Sequence, residues 1–402
     1  MISGNGCNQS IIQAKKLFIS LFGDASGSLL EICPASIILL GDHTHYNDGI
    51  LLSACIDKFW IFLIRKRKDS EINLASAGSD TLTKLSIENP NHPEDGNFRI
   101  LRGLLALLKE EDLLRTGFDC VITTTVPECV GLGSSAAQQV GFLNAVRNAL
   151  SLNIDDEKLL TLVRRNELNI LGKISNTAHH YTVQFGREKK LFFMDIRTKE
   201  HKTISLDTEE CSLVICDSGE RIIEPQKICA ERIEECEVGV KGLRLYLWGI
   251  RNLRDIELEF LHKHFHMLPG RIFSRVLYNV KERIRAHEAM KYLRKKMIDE
   301  LGKLLVESHN NLSGEYDLGN EYSNFLVGES LKIDGVYGSK LISCSPSAST
   351  FTLLKSSEVD IFREKMNNAF KEKYNRELKI HVVNLANGVK KITAKEFELR
   401  NQ

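Results

Sequence analysis

From Cys33 the chain reads CPASIILLGDHTHYNDG, an apolar run that stops abruptly at Gly41 in a cluster of short polar and imidazole side chains. That pattern predicts a buried strand delivering a binding loop. Upstream, Ser10 to Phe22 places Ile11, Ile12, Leu17, Phe18 and Leu21 at mostly helical intervals, as an amphipathic helix would. Leu29 to Cys33, Ile37 to Leu40, Leu51 to Ala54, Trp60 to Ile64 and Ile72 to Ala75 are short runs bounded by turn residues, the pattern of a mixed sheet. Asn89 to Gly96 is a loop by composition, and Phe98 to Leu108 returns to helix.

Phe118 to Thr125 reads as a β-branched strand closed by Pro127, and Ser134 to Leu150 as a long helix turning Ala136, Ala137, Val140, Leu143 and Val146 inward. Asp155 to Leu171 predicts a second helix carrying Leu159, Leu160, Val163 and Leu168. Strands are expected at Leu191 to Ile196 and Ser212 to Cys216, and the polar connection between them puts a domain boundary near residue 205. Helices follow at Ile228 to Gly242, Asp255 to His262, Ile272 to Met290 and Tyr292 to His309, before strands return at Leu341 to Leu354 and Ile380 to Val383. The expectation is an α+β protein of two domains, 1–205 and 206–402, with the last residues packing back on the first.

Composition narrows the function. A chain of 402 residues with 43% hydrophobic content can bury more than one core, and a net charge of +1 offers no field for nucleic acid or an anionic membrane. The basic stretch Arg65-Lys66-Arg67-Lys68 lacks interleaved aromatics and reads as a solvated edge. Ten cysteines without a C-x-x-C pair argue against a zinc site or a disulfide framework, and so for a cytoplasmic setting. No apolar segment approaches the ~18 residues of a membrane span. A small-molecule partner suits this chain better.

Candidate chemistry lies first at Gly131-Leu132-Gly133-Ser134-Ser135, where a strand hands over to a helix. Glycines let backbone N–H groups approach an anion, and a helix N-terminus adds unpaired donors and positive partial charge. On these residues alone a simple helix cap is an equally good reading. It is not a Walker A loop, since no lysine follows the second glycine.

Three stretches, PASIILLGDHTHYNDG from Pro34, VPECVGLGSSAA from Val126 and KLISCSPSASTFTLL from Lys340, resemble in order and spacing the three motifs of the GHMP small-molecule kinases. The whole chain is most similar to the galactokinases. The resemblance implies the two-domain GHMP kinase fold with a ligand cleft between the domains, and Mg²⁺ and ATP as cofactors. It implies nucleotide contacts from Gly131, Leu132, Gly133, Ser134, Ser135 and Ala136, with Gly133 in place of a family serine. Ser135 and Glu167 take the positions of the Mg²⁺ ligands, and Asp42, His43, His45 and Tyr46 those of the sugar-binding loop.

The catalytic positions depart from the family. Its arginine, which steadies the nucleophilic oxygen and the developing phosphate charge, becomes Ser36. A serine has neither the charge nor the reach for that role. The family's catalytic aspartate falls on His179 and the neighbouring glutamine on His180. An imidazole can accept a proton near neutral pH, so His179 is either a substitute general base or a residue at a position released from catalysis. Loss of the arginine beside it favours the second. The sugar-binding aspartate becomes His45, the sugar-contacting tyrosine becomes Cys229, and every glycine of the third motif is replaced. The expected function is binding of Mg-ATP and a sugar-like molecule without ordinary galactose phosphorylation. The alternatives are an active ATP-dependent sugar kinase and a purely structural interaction protein.

Overall fold

β1 (Leu29–Leu40) is buried along almost its whole length, which is why it reads as one apolar run and not as an alternating one. In the computed structural model, residues 5–78, 82–90, 98–170, 172, 176–207, 209–343 and 347–392 are described. β2 (Ile50–Lys66) pairs antiparallel with β1 from Leu29↔Ile64 to Leu40↔Leu52, with register shifts at Pro34/Ala35 and Ile38/Leu40. The paired short runs expected in each stretch are therefore single long strands, carried through the polar residues by bulges.

β3 (Glu71–Ser76), β4 (Leu82–Ser86) and β5 (Phe118–Thr124) complete a path β12-β1-β2-β5-β3-β4, where β12 is Lys390–Ile392. β6 (Lys190–Asp195) pairs with β2 and with β7 (His201–Ser205). The pairing of β3 with β5 is parallel and the others are antiparallel, so the sheet is mixed. α1 (Asn5–Phe22) covers one face, burying Ile11, Ala14 and Phe18 beside Ile61 and Val121. Ile12 and Leu21 of the expected stripe point outward instead. α3 (Ser134–Leu150) and α5 (Thr177–Phe185) cover the other face, with Phe142, Val146, Ala178 and Tyr181 packed on Cys33 and Phe62.

The second sheet has the antiparallel order β11-β8-β10-β9, built from β8 (Cys211–Arg221), β9 (Val336–Leu341), β10 (Ser347–Lys355) and β11 (Lys379–Val383). The strand expected over Leu341 to Leu354 is thus a hairpin. α10 (Glu321–Ser330) and α11 (Val359–Tyr374), neither read from the sequence, lay Leu326, Phe362, Met366 and Phe370 on Val214, Cys216 and Leu354. The opposite face carries Leu213, Ile215, Phe351 and Leu353 into a core shared with Ile37, Leu39 and Leu52 of the first sheet and with Val130 and Leu132 of the glycine loop. α8 (Gly270–Arg294) and α9 (Ile298–Ser313) supply Ala286, Leu301 and Leu305 to the same core. The end of β1 and the glycine loop therefore sit where the two sheets meet.

α9 approaches β9 backbone to backbone. A Cβ on Gly302 would lie 2.0 Å from the Tyr337 carbonyl oxygen, an atom fixed in the sheet. Gly302→Ala is expected to destabilise the fold by about 1–3 kcal/mol through overpacking, read as a lower urea midpoint. A midpoint unchanged by the substitution would show that α9 can slide.

Candidate functional site in the cleft

The glycine loop is latched to β1, since the Ser36 amide donates to the Leu132 carbonyl at 3.0 Å. Gly131 and Gly133 hold left-handed φ values of +81° and +61°, which a residue without a Cβ adopts at no steric cost. No side chain caps α3, and Ser134 Oγ accepts from Trp60 Nε1 at 3.1 Å. The serine of the simple cap reading is thus used elsewhere, and among the described residues no side chain caps the first N–H groups of the helix.

Ser36 and His179, 143 residues apart in the chain, meet here: Ser36 Oγ lies 2.8 Å from His179 Nδ1. A Cβ on Gly133 would lie 2.6 Å from that nitrogen and 2.7 Å from the serine oxygen. The serine, the histidine and the loop glycine form one contact set. Burial and the neighbouring His180 push the His179 imidazole down to about 4, against the opposing pull of Asp42 and Glu167. At neutral pH the ring is uncharged.

Beside them Gln139, fully buried on α3, bridges the two residues expected to hold a cation. Its Nε2 donates to Ser135 Oγ at 3.3 Å and to Glu167 Oε1 at 3.0 Å. Asn166 Nδ2 holds its other end, donating to Gln139 Oε1 at 2.7 Å. Glu167 Oε2 faces His180 Nε2 at 3.2 Å. α4 (Asp156–Arg165) ends before these residues and gives way to a π-turn over Asn166–Ile170. The turn buries Glu167 to 6% exposure and throws Leu168 out to 49%, where the sequence led to one continuous helix carrying that leucine. A hydroxyl and a carboxylate oxygen both within reach of one nitrogen suit a hard divalent cation whose remaining positions go to phosphate and water. The Gln139 amide and the His180 ring share that neighbourhood.

The loop after β1 turns at Gly41 (φ +95°), where a Cβ would strike the Ile50 carbonyl oxygen at 2.3 Å. Asp42 is held on both oxygens: Ser343 Oγ donates to Oδ1 at 2.6 Å, and the fully buried Lys340 pairs with Oδ2. His43 Nδ1 lies 3.1 Å from Tyr46 Oη, which in turn lies 2.6 Å from Tyr316 Oη. The His45 ring packs edge-on against Tyr46 with centroids 4.8 Å apart. Burial pushes both imidazoles down to about 3, so neither carries charge at neutral pH. The loop thus presents neutral rings and an already paired carboxylate.

Ser36, Asp42, His43, His45, Tyr46, Gly131 to Ala136, Glu167 and His179 all belong to this one neighbourhood of β1, the glycine loop and the start of α5. Cys344-Ser345-Pro346 of the third motif lie outside the described residues. Sequence reasoning passed over Gln139, whose four-residue offset from Ser135 on a helix was a usable signal. It also passed over Glu282, which no local pattern marks.

Residues 16–66 match the galactokinase galactose-binding signature, and residues 99–183 match the GHMP kinases N terminal domain. A galactokinase of Roseiflexus is 28% identical over 359 residues, covering 89% of this chain and 92% of the relative. One from Clostridium tetani is 26% identical, covering 90% and 93%. The crystal structure of Lactococcus lactis galactokinase complexed with galactose superposes with a TM-score of 0.90 over 95% of this chain and 100% of that one, at 21% identity. Methanococcus jannaschii mevalonate kinase gives 0.63 at 19% identity, covering 90% of this chain and 99% of that one. The fold is that of the GHMP kinases, with the glycine loop at its characteristic strand-to-helix junction. Within that class, the signature matched over residues 16–66 and the relatives matched along most of the chain are those of galactokinases.

Proposed function

We propose that this protein binds Mg-ATP and a sugar-like molecule in the cleft between residues 1–205 and 206–402, and does not phosphorylate galactose at an ordinary rate. Gly131, Leu132, Gly133, Ser134, Ser135 and Ala136 receive the phosphates, and Ser135 and Glu167 hold the cation. Asp42, His43, His45 and Tyr46 face the sugar-like ligand. The galactose bound by the Lactococcus relative supports that ligand class.

The observation that carries the reading is the Ser36–His179 contact. Phosphoryl transfer is accelerated chiefly by positioning and by positive charge placed where negative charge develops. Here a hydroxyl and an uncharged imidazole satisfy each other at the two positions where the family supplies an arginine and an aspartate. A second reading is an active sugar kinase with an altered acceptor. It is favoured by the same imidazole, which as a neutral ring can take a proton from a bound hydroxyl.

A coupled ADP-release assay across a panel of sugars, run beside nucleotide titration, separates the two. Galactose turnover is expected at background, while Mg-nucleotide binds and Ser135→Ala weakens that binding about tenfold, as expected for a lost charge-assisted contact of ~1.5 kcal/mol. Robust turnover on galactose would refute the binding-protein reading, and turnover on another sugar would establish the second. Absent nucleotide binding would refute both.

A further inference from the structure

α6 (Pro225–Arg244) buries Arg232, Cys236, Val240 and Leu243 and turns the opposite stripe outward. That stripe reads Glu231, Glu234, Val238, Lys241 and Leu245, spaced three and four apart like the seam of a helix pair. Val238 is 48% exposed and Leu245 80%. The two halves of the stripe differ in charge, with Glu231 and Glu234 before Val238 and Lys241 and Arg244 after it. Lys241 reaches Glu237 of its own helix at 3.9 Å, a loose pair, and Arg244 donates to the carbonyls of Ile250 and Arg251, which leave its charge unbalanced.

The two ends of the helix differ in shape as well. Leu247 closes one further turn on Leu243 at 2.9 Å, and beyond it Trp248 projects, 98% exposed. At the first turn a cavity of about 510 Å³ opens, walled by Ile222, Ile223, Ile228 and Leu318. Ile223 is itself 83% exposed, and Arg221 lines the same recess with no ion pair among the described residues. Trp248 lies ten positions after Val238 and Ile228 ten before it, about 15 Å each way at the helical rise. A second copy laid antiparallel across Val238 on a two-fold axis therefore brings each protruding indole to the other's recess.

We propose that this face of α6 is the interface of a symmetric dimer, in which Trp248 of each copy fills the recess beside Ile228 of the other. The same arrangement sets Glu234 against the partner's Lys241 and Glu231 against the partner's Arg244, so the two charged halves complement each other. Arg221 then has a role that an apolar recess alone would not give it, because a guanidinium is attracted to the face of an indole. Such self-complementary contacts about a two-fold axis are the commonest in soluble oligomers. An exposed tryptophan suits them, since large aromatic side chains dominate the energetics of interfaces.

The experiment is sedimentation velocity of the full chain across about 1–100 μM, a range in which contacts of this kind associate. A concentration-dependent dimer is expected, and Trp248→Ala, at a position too exposed to disturb the fold, should weaken it at least tenfold. Glu234→Lys and Lys241→Glu should each stay monomeric where the wild type is dimeric, because like charges then face each other at both ends. Mixed in equal amounts, those two variants should pair, since every facing charge is again opposite. Cys229 lines the recess and is partly exposed, so its alkylation by N-ethylmaleimide, located by peptide mass spectrometry, should slow several-fold as the dimer forms. A chain that is monomeric throughout overturns the proposal. So does a dimer that survives Trp248→Ala or leaves Cys229 as reactive as before, and so do charge variants that remain apart when mixed.

Discussion

Glu282→Ala lowers the unfolding free energy by about 3–5 kcal/mol, the usual cost of removing one partner from a buried charge network. Glu282 is fully buried on α8 and accepts from the Gly41 amide at 2.8 Å, from Ser308 Oγ at 2.8 and 2.9 Å, and from Arg285 Nε at 2.8 Å. Lys340, also fully buried, lies 3.5 Å away while pairing with Asp42. Truncation leaves two cations and a backbone donor short of a partner and unpins the turn that carries the Asp42–Tyr46 loop. Burial alone would raise the carboxyl, but Arg285, Lys340, the Gly41 amide and Ser308 outweigh it and hold Glu282 at about 2, below its ordinary 4.5. A depressed carboxyl contributes its stability above the unfolded value and loses it as pH falls toward the folded one. Urea unfolding should show the gap between wild type and Glu282→Ala at full size above pH 5 and narrowing between pH 4.5 and pH 2. A gap under about 1 kcal/mol at pH 7 would mean that this network does not brace the loop.

Much of this architecture was written locally. The apolar run ending at Gly41, the glycines between β5 and α3, and Glu167 at a fixed distance along the chain could each be read without neighbours. What escaped the sequence depends on partners far away. Ser36 and His179 look like two separate losses until β1 and α5 bring them within 2.8 Å. Glu282 is one more charged residue on a long helix until Gly41 and Lys340 converge on it. The turn over Asn166–Ile170 breaks the 3.6-residue period, so a helical count puts Leu168 inside when Glu167 is the buried residue. α10 has a glycine and several polar residues within it, which hides its helix. α11 is different: Phe362, Met366 and Phe370 recur every four residues and were legible.

Gly133→Ser should weaken nucleotide binding at least a hundredfold, about 2.7 kcal/mol, and most of that loss should vanish when His179 is made alanine. The two changes meet at one point in space. A serine Cβ at 133 would fall 2.6 Å from the imidazole nitrogen and 2.7 Å from Ser36 Oγ, closer than real Cβ contacts, so the loop or the ring must move. The loop is held to β1 by the Ser36–Leu132 backbone bond and to the shared core by Val130 and Leu132, so it cannot retreat without disturbing both. His179→Ala removes the nearer obstruction and lets the added side chain in. A residual penalty of about 1 kcal/mol should remain, because φ of +61° at this position disfavours any residue with a Cβ. Nucleotide titration of the two single variants and the double variant gives the coupling directly, and residues in contact typically couple by about 0.5–3 kcal/mol. Additive losses would mean that the glycine is there for its backbone angle alone. A large coupling would mean that Gly133 of the glycine loop and His179 depend on each other. Restoring a carboxylate or an arginine at one position would then leave turnover at background until the other two are changed with it.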